Sequence, residues 1–131
     1  MIVADSDVLI DFLRGKGPGA KRVALELTTR SFATTAITAF ELRAGAHSPR
    51  QLKAIDTLLE AMTILPFGAE EARVAGGLLR DLAASGQTIG MADTMIAGTC
   101  LVADGVLLSR NLKHFARVKD LKLGSLPEDE E

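Results

Sequence analysis

Ile2-Val3-Ala4-Asp5-Ser6-Asp7-Val8-Leu9-Ile10-Asp11 sets a strand, a carboxylate and a helix in immediate succession. Ile2 to Asp5 is short and apolar on both faces, the pattern of a strand buried inside a parallel sheet. Val8, Leu9, Phe12 and Leu13 then recur at helical spacing, and Gly15 with Gly17-Pro18 ends that helix. In parallel sheets ligands sit at the carboxyl ends of the strands. Asp5 therefore falls where a site is expected.

The same alternation continues along the chain. Val23, Leu25 and Leu27 mark a second helix, residues 31–36 a second strand and residues 38–46 a helix stopped by Ser48-Pro49. Leu52, Ile55, Leu58, Leu59 and Met62 share one helical face. Residues 63–66 read as a short strand, 69–84 as a long helix, 92–102 as another, 106–109 as a fourth strand, 111–116 as a short helix and 121–123 as a fifth strand. Strands alternating with helices predict an α/β fold, a mainly parallel sheet of roughly five strands covered on both faces. Residues 1–125 read as one domain, and residues 126–131 as an acidic tail without fixed structure.

At 131 residues the chain can bury about two-thirds of its unfolded surface. Trp and Tyr are absent, so the core must be aliphatic. No apolar run approaches the ~20 residues of a membrane span, and no basic segment precedes the first apolar residues as in a signal peptide. The single cysteine, Cys100, excludes an internal disulfide and makes a thiolate metal site implausible, so it reads as buried filler in a protein of the reducing cytoplasm. The net charge of −2 argues against a protein that coats nucleic acid. It leaves room for a nuclease with a local basic rim, from Arg14, Lys16, Lys21 and Arg22 at one end and Arg110, Lys113, His114, Arg117, Lys119 and Lys122 at the other.

Four polar residues stand where polar residues are expensive. Asp5 closes the first strand, Glu41 and Asp93 lie on apolar helical stretches, and Asn111 follows the fourth strand. If the fold gathers them, three carboxylates converge without a protein cation. Repulsion at ~4 Å and an effective dielectric near 20 amounts to about 4 kcal/mol per pair. Such a group must be protonated or hold a metal ion.

Each also has a bland reading. Asp5 could cap the helix beginning at Ser6, and Asn111 the short helix after it. Thr38-Ala39-Phe40-Glu41 fits a capping box in the first turn of its helix. Asp93 stands within a turn of a helix start. Asp7 and Asp11 repel at i, i+4. Asp7 would support the site from its rim, and Asp11 would face solvent or pair with Arg14. Neither His47 nor His114 has a His or Cys partner at zinc-ligand spacing, and no serine nucleophile elbow or phosphate-binding glycine loop occurs.

Taken in series, Asp5-Ser6-Asp7-Val8-Leu9-Ile10-Asp11, Glu41-Leu42-Arg43-Ala44-Gly45, Asp93-Thr94-Met95-Ile96-Ala97 and Ser109-Arg110-Asn111-Leu112-Lys113-His114-Phe115 resemble the PIN domain, and more narrowly the VapC toxins of bacterial VapBC toxin–antitoxin pairs. The resemblance spans essentially the whole chain. It implies a three-layer α/β/α sandwich and a Mg²⁺-dependent endoribonuclease, with Mn²⁺ as a possible substitute. Asp5, Glu41 and Asp93 match the family's acids, with Asp5 and Asp93 as metal ligands and Ser6 and Ser109 positioning substrate or water. Asn111 fills a position that is often Asp, which puts a second metal in doubt. A VapB-like antitoxin and RNA would be its partners. A homodimer is expected from apolar area on helix 69–84 and from Leu9, Phe12, Val23 and Leu27 beside the acidic mouth. The alternatives are a haloacid-dehalogenase-type phosphatase, with Asp5 as nucleophile and Asp7 as acid, and a non-catalytic binding module whose acids are caps.

Overall fold

The computed structural model describes residues 1–127; the acidic residues 128–131 of the expected tail lie outside the described residues. The elements are β1 (Ile2–Ala4), α1 (Ser6–Arg14), α2 (Pro18–Glu26), β2 (Phe32–Thr35), α3 (Ala36–Ala44), α4 (Pro49–Glu60), β3 (Thr63–Leu65), α5 (Ala69–Ala84), α6 (Met91–Ala103), β4 (Val106–Leu108), α7 (Leu112–Phe115) and β5 (Lys122–Leu123). The sheet runs β3-β2-β1-β4-β5 and every pair is parallel. The predicted α/β architecture is the one found.

Successive side chains of a strand point to opposite faces, and the three central strands divide accordingly. Val3, Ala33 and Leu107 face one layer, with Ala75 and Leu82 of α5 and Ile96, Ala97 and Cys100 of α6 buried on that side. Ala4, Phe32 and Leu108 face the other, against Val8 and Leu9 of α1, Val23 of α2 and Ile55 and Leu58 of α4. Leu9 and Val23 are thus core residues at 0% exposure, not apolar surface beside the mouth. Two glycines set the closest helix approaches. A Cβ on Gly98 would lie 2.8 Å from Ala75 Cβ, and one on Gly19 2.6 Å from Val8 Cα.

The helix after β2 starts two residues earlier than its sequence pattern predicts. Thr35 is its N-cap, with Oγ1 accepting from the Thr38 N–H at 3.0 Å. Glu41 therefore lies in the second turn, and the expected capping box between Thr38 and Glu41 does not form.

Candidate active site

The strand order reverses at β1, with β2 and β3 on one side and β4 and β5 on the other. The crevice of a parallel sheet opens at such a reversal. Ala4 is in register with both Thr34 and Leu108, and the Asp5 N–H donates to Leu108 O at 2.9 Å. The residues that follow these strands accordingly meet at one edge.

Asp5 is 6% exposed. Its Oδ1 caps α1 by accepting from the Ser6 N–H at 2.8 Å, and its Oδ2 accepts from the Ser109 hydroxyl at 2.8 Å. Capping thus occupies one oxygen only. Burial, and next the charge of Asp7, push its carboxyl up to about 6. Ser109, fully buried, also accepts from the Asn111 N–H at 2.9 Å, so one hydroxyl ties the end of β1 to the loop after β4.

Asp93 stands in the first turn of α6, whose N-cap is Gly90. Its Oδ2 accepts from Asn111 Nδ2 at 3.2 Å and lies 3.8 Å from His114 Nδ1. Burial raises its carboxyl, an effect that His114 opposes. The Asn111 side chain makes no capping bond; it reaches Asp93 and, at 3.1 Å, His114. Asn111 is thus a brace for Asp93. The sequence reading missed His114, because its proximity arises only when α7 folds back beside the start of α6.

Glu41 is raised by burial first and by the charge of Asp93 second. Its Oε1 is buried without a hydrogen-bond partner. With Ser6, Ile10 and His47 it lines a cleft of about 340 Å³ between α1, α3 and α4. Ser6 therefore belongs to the Glu41 side of the mouth, and Ser109 to the Asp93 side.

Asp7 is anchored by a distant part of the chain. Its Oδ2 accepts from the Arg110 N–H at 2.9 Å, and its Oδ1 is buried without a partner. Asp11 neither faces solvent nor pairs with Arg14. It is 6% exposed, accepts from the Gly19 N–H at 3.0 Å and lies 3.3 Å from Arg110 Nε. Arg110 thus offsets the i, i+4 repulsion of Asp7 and Asp11, one through its backbone and the other through its guanidinium. Cys100 is buried filler, its thiol pushed up to about 12 chiefly by burial.

Among the described residues, no three Asp, Glu, His or Cys side chains stand close enough to enclose one ion. The donor set nevertheless fits Mg²⁺ or Mn²⁺. It is all oxygen, and Mg²⁺ is usually held by one or two carboxylates with water completing its shell. Two carboxylate oxygens, Asp7 Oδ1 and Glu41 Oε1, are buried and want a positive partner.

The PIN domain family model matches residues 2–121. The chain belongs to the PIN-domain family. Ribonuclease VapC19 of Mycobacterium tuberculosis is 32% identical over 124 residues, covering 93% of this chain and 98% of that one. In the crystal structure of VapBC2 from Rickettsia felis bound to a promoter DNA fragment, the matching chain is 23% identical with a TM-score of 0.82, covering 95% of this chain and 98% of its own. The match in VapBC-1 from nontypeable Haemophilus influenzae is 25% identical with a TM-score of 0.80, over 95% and 97%. Membership of this family sets aside the haloacid-dehalogenase alternative. No described helix is long and apolar enough to cross a membrane.

Proposed function

We propose that this PIN-domain chain is an endoribonuclease that hydrolyses RNA phosphodiester bonds with divalent metal, and that it is the toxin of a toxin–antitoxin pair. The observation that carries the reading is the Glu41 carboxylate, buried at Oε1 without a donor and facing the charge of Asp93. A carboxylate serving as a cap or an ion-pair partner would have its donor in place.

Asp5 and Asp93 would hold Mg²⁺, or Mn²⁺ in its stead. Bound there, the ion would offset charge on the scissile phosphate and make water a better nucleophile. Glu41 Oε1 is the acceptor suited to orient the attacking water and take its proton. Ser109 and the Ser6 N–H fix the two oxygens of Asp5, and Asn111 fixes Oδ2 of Asp93, so both carboxylates are oriented by hydrogen bonds. Ser6, on the cleft wall, is placed to hold substrate or water.

The names of the relatives support the substrate class: the M. tuberculosis relative is a ribonuclease, and the solved neighbours are VapBC assemblies. By the same analogy the partner is a VapB-like antitoxin that offers Arg or Lys to the carboxylates, since a bidentate cation can replace the ion electrostatically. A homodimer remains part of this reading. With Leu9 and Val23 in the core, its apolar contact falls to other residues.

The experiment is cleavage of single-stranded RNA by the purified chain with Mg²⁺ or with EDTA, beside Asp5→Asn and Glu41→Gln. Cleavage should need the ion and fall at least about 10²-fold in either variant, the range lost with a general base. Undiminished cleavage in excess EDTA, or by Glu41→Gln, would overturn the mechanism.

A further inference from the structure

We infer that Asp7 is a working carboxylate of the ion site, offering Oδ1 through a water to the ion held by Asp5 and Asp93. The inference rests on the metal-dependent reading above and extends it to a residue outside the set proposed there.

An acid in the first turn of a helix has an ordinary purpose, which is to complement the positive end of the helix dipole. Asp7 holds such a position in α1. Three observations go beyond it. First, Asp7 is restrained from a distant part of the chain: its Oδ2 accepts from the Arg110 N–H at 2.9 Å and lies 3.3 Å from the Ser109 hydroxyl. Favourable interaction with a helix dipole needs no such restraint. Second, fixing Oδ2 leaves Oδ1 buried with no donor. Buried acceptors are nearly always satisfied, and one that is not calls for an ion, a water or a function. Third, the Ser109 hydroxyl that donates to Asp5 Oδ2 at 2.8 Å lies 3.3 Å from Asp7 Oδ2, so the Asp7 carboxylate stands beside an expected ligand.

The neighbour at the other end of the site reinforces the argument. Asn111 is neutral, and its side-chain amide is spent on Asp93 and His114. Of the groups around Asp5 and Asp93, Asp7 and Glu41 are the two with an unpartnered buried oxygen. Glu41 shares the cleft with Ser6, whereas Asp7 is tied to the Ser109–Asn111 loop.

The test is calorimetric titration of Mn²⁺ into the full chain at neutral pH, wild type beside Asp7→Asn, with thermal melts of both in EDTA. The expected result is a Mn²⁺ Kd weakened about tenfold or more, the loss seen when groups supporting a metal are removed. In EDTA the Tm should be unchanged or higher, because one of the mutually repelling charges is gone. A Kd within twofold of wild type, with a lowered Tm in EDTA, would make Asp7 a dipole-complementing residue and overturn the inference while leaving the metal reading intact. Absence of Mn²⁺ binding by the wild type would overturn both. Should Asp7→Asn not fold, Mn²⁺ can be titrated into wild-type protein carrying ¹³C-labelled aspartate. The Asp7 carboxyl resonance should broaden together with those of Asp5 and Asp93. Its survival while those two vanish would defeat the inference.

Discussion

The Ser109 hydroxyl donates to Asp5 Oδ2 at 2.8 Å, joining residues 104 positions apart at the ends of neighbouring strands. Ser109 Oγ in turn accepts from the Asn111 N–H. Geometry at the end of β1 is thereby transmitted to the side chain that braces Asp93. Ser109→Ala should remove both bonds and leave two buried polar groups short of a partner. Metal-free denaturation should show a loss of about 1–3 kcal/mol. Because this bond holds the Asp5 carboxyl down, its titration midpoint should also move upward from about 6. Followed by NMR, an unchanged midpoint would show that Ser109 does not control Asp5.

The pH dependence of the metal-free protein follows from the direction of that shift. Burial and Asp7 raise Asp5 from 3.8 to about 6, so the native state keeps a proton that the unfolded chain releases between those values. The stability Asp5 contributes is fully present below about 4 and is lost as pH rises through about 6. The difference is on the order of 3 kcal/mol. Asp5→Asn carries no such term, so in EDTA the variant should gain on wild type as pH rises through that window. Saturating Mn²⁺ should reverse the order, since the ion binds the ionised carboxylate and its affinity grows with pH. A wild-type-minus-variant difference that stays flat from about pH 4 to about pH 8 in EDTA would disprove the coupling.

Sequence reading succeeded where one short segment carried its own signal. Ile2-Val3-Ala4 and Val106-Leu107-Leu108 are apolar on both faces because the parallel sheet buries both, and Asp5 and Ser109 follow from their ends. Cys100 was legible for a similar reason, since it shares a helical face with Ile96 and Ala97. It failed where two local solutions compete or where a partner is distant. Thr35 and Thr38 are both competent caps, and the tertiary contact of Thr34 Oγ1 with Ala4 O at 2.7 Å keeps Thr34 and its neighbour in the strand register. That fixes Thr35 as the cap and moves Glu41 one turn deeper. Leu9 and Val23 looked like surface because the sequence does not reveal that α1 and α2 share one face of the sheet. Asp11 and His114 find their partners in Arg110 and Asp93, which no local pattern connects to them.

Asp11 provides the sharpest separation of structural from catalytic acids. It sits in α1 with Asp5 and Asp7 just before it, yet its carboxylate is directed to the start of α2. There it accepts from the Gly19 N–H in place of the missing side-chain cap at Gly17. Gly17 has φ +98°, and a Cβ on it would lie 2.7 Å from the Asp11 carboxylate, so the loop is fitted to that acid. Asp11→Ala should leave the Gly19 N–H buried without an acceptor and lower stability by about 2 kcal/mol. Asp11→Asn retains an oxygen acceptor and loses only attraction to the half-exposed Arg110, so it should recover most of that loss. Urea midpoints of wild type, Asp11→Asn and Asp11→Ala should fall in that order. Mn²⁺ affinity measured on folded protein should change far less in either variant than in Asp5→Asn. If Asp11→Ala were as stable as wild type but lost Mn²⁺ binding, Asp11 would be a member of the site and the division drawn within α1 would be wrong.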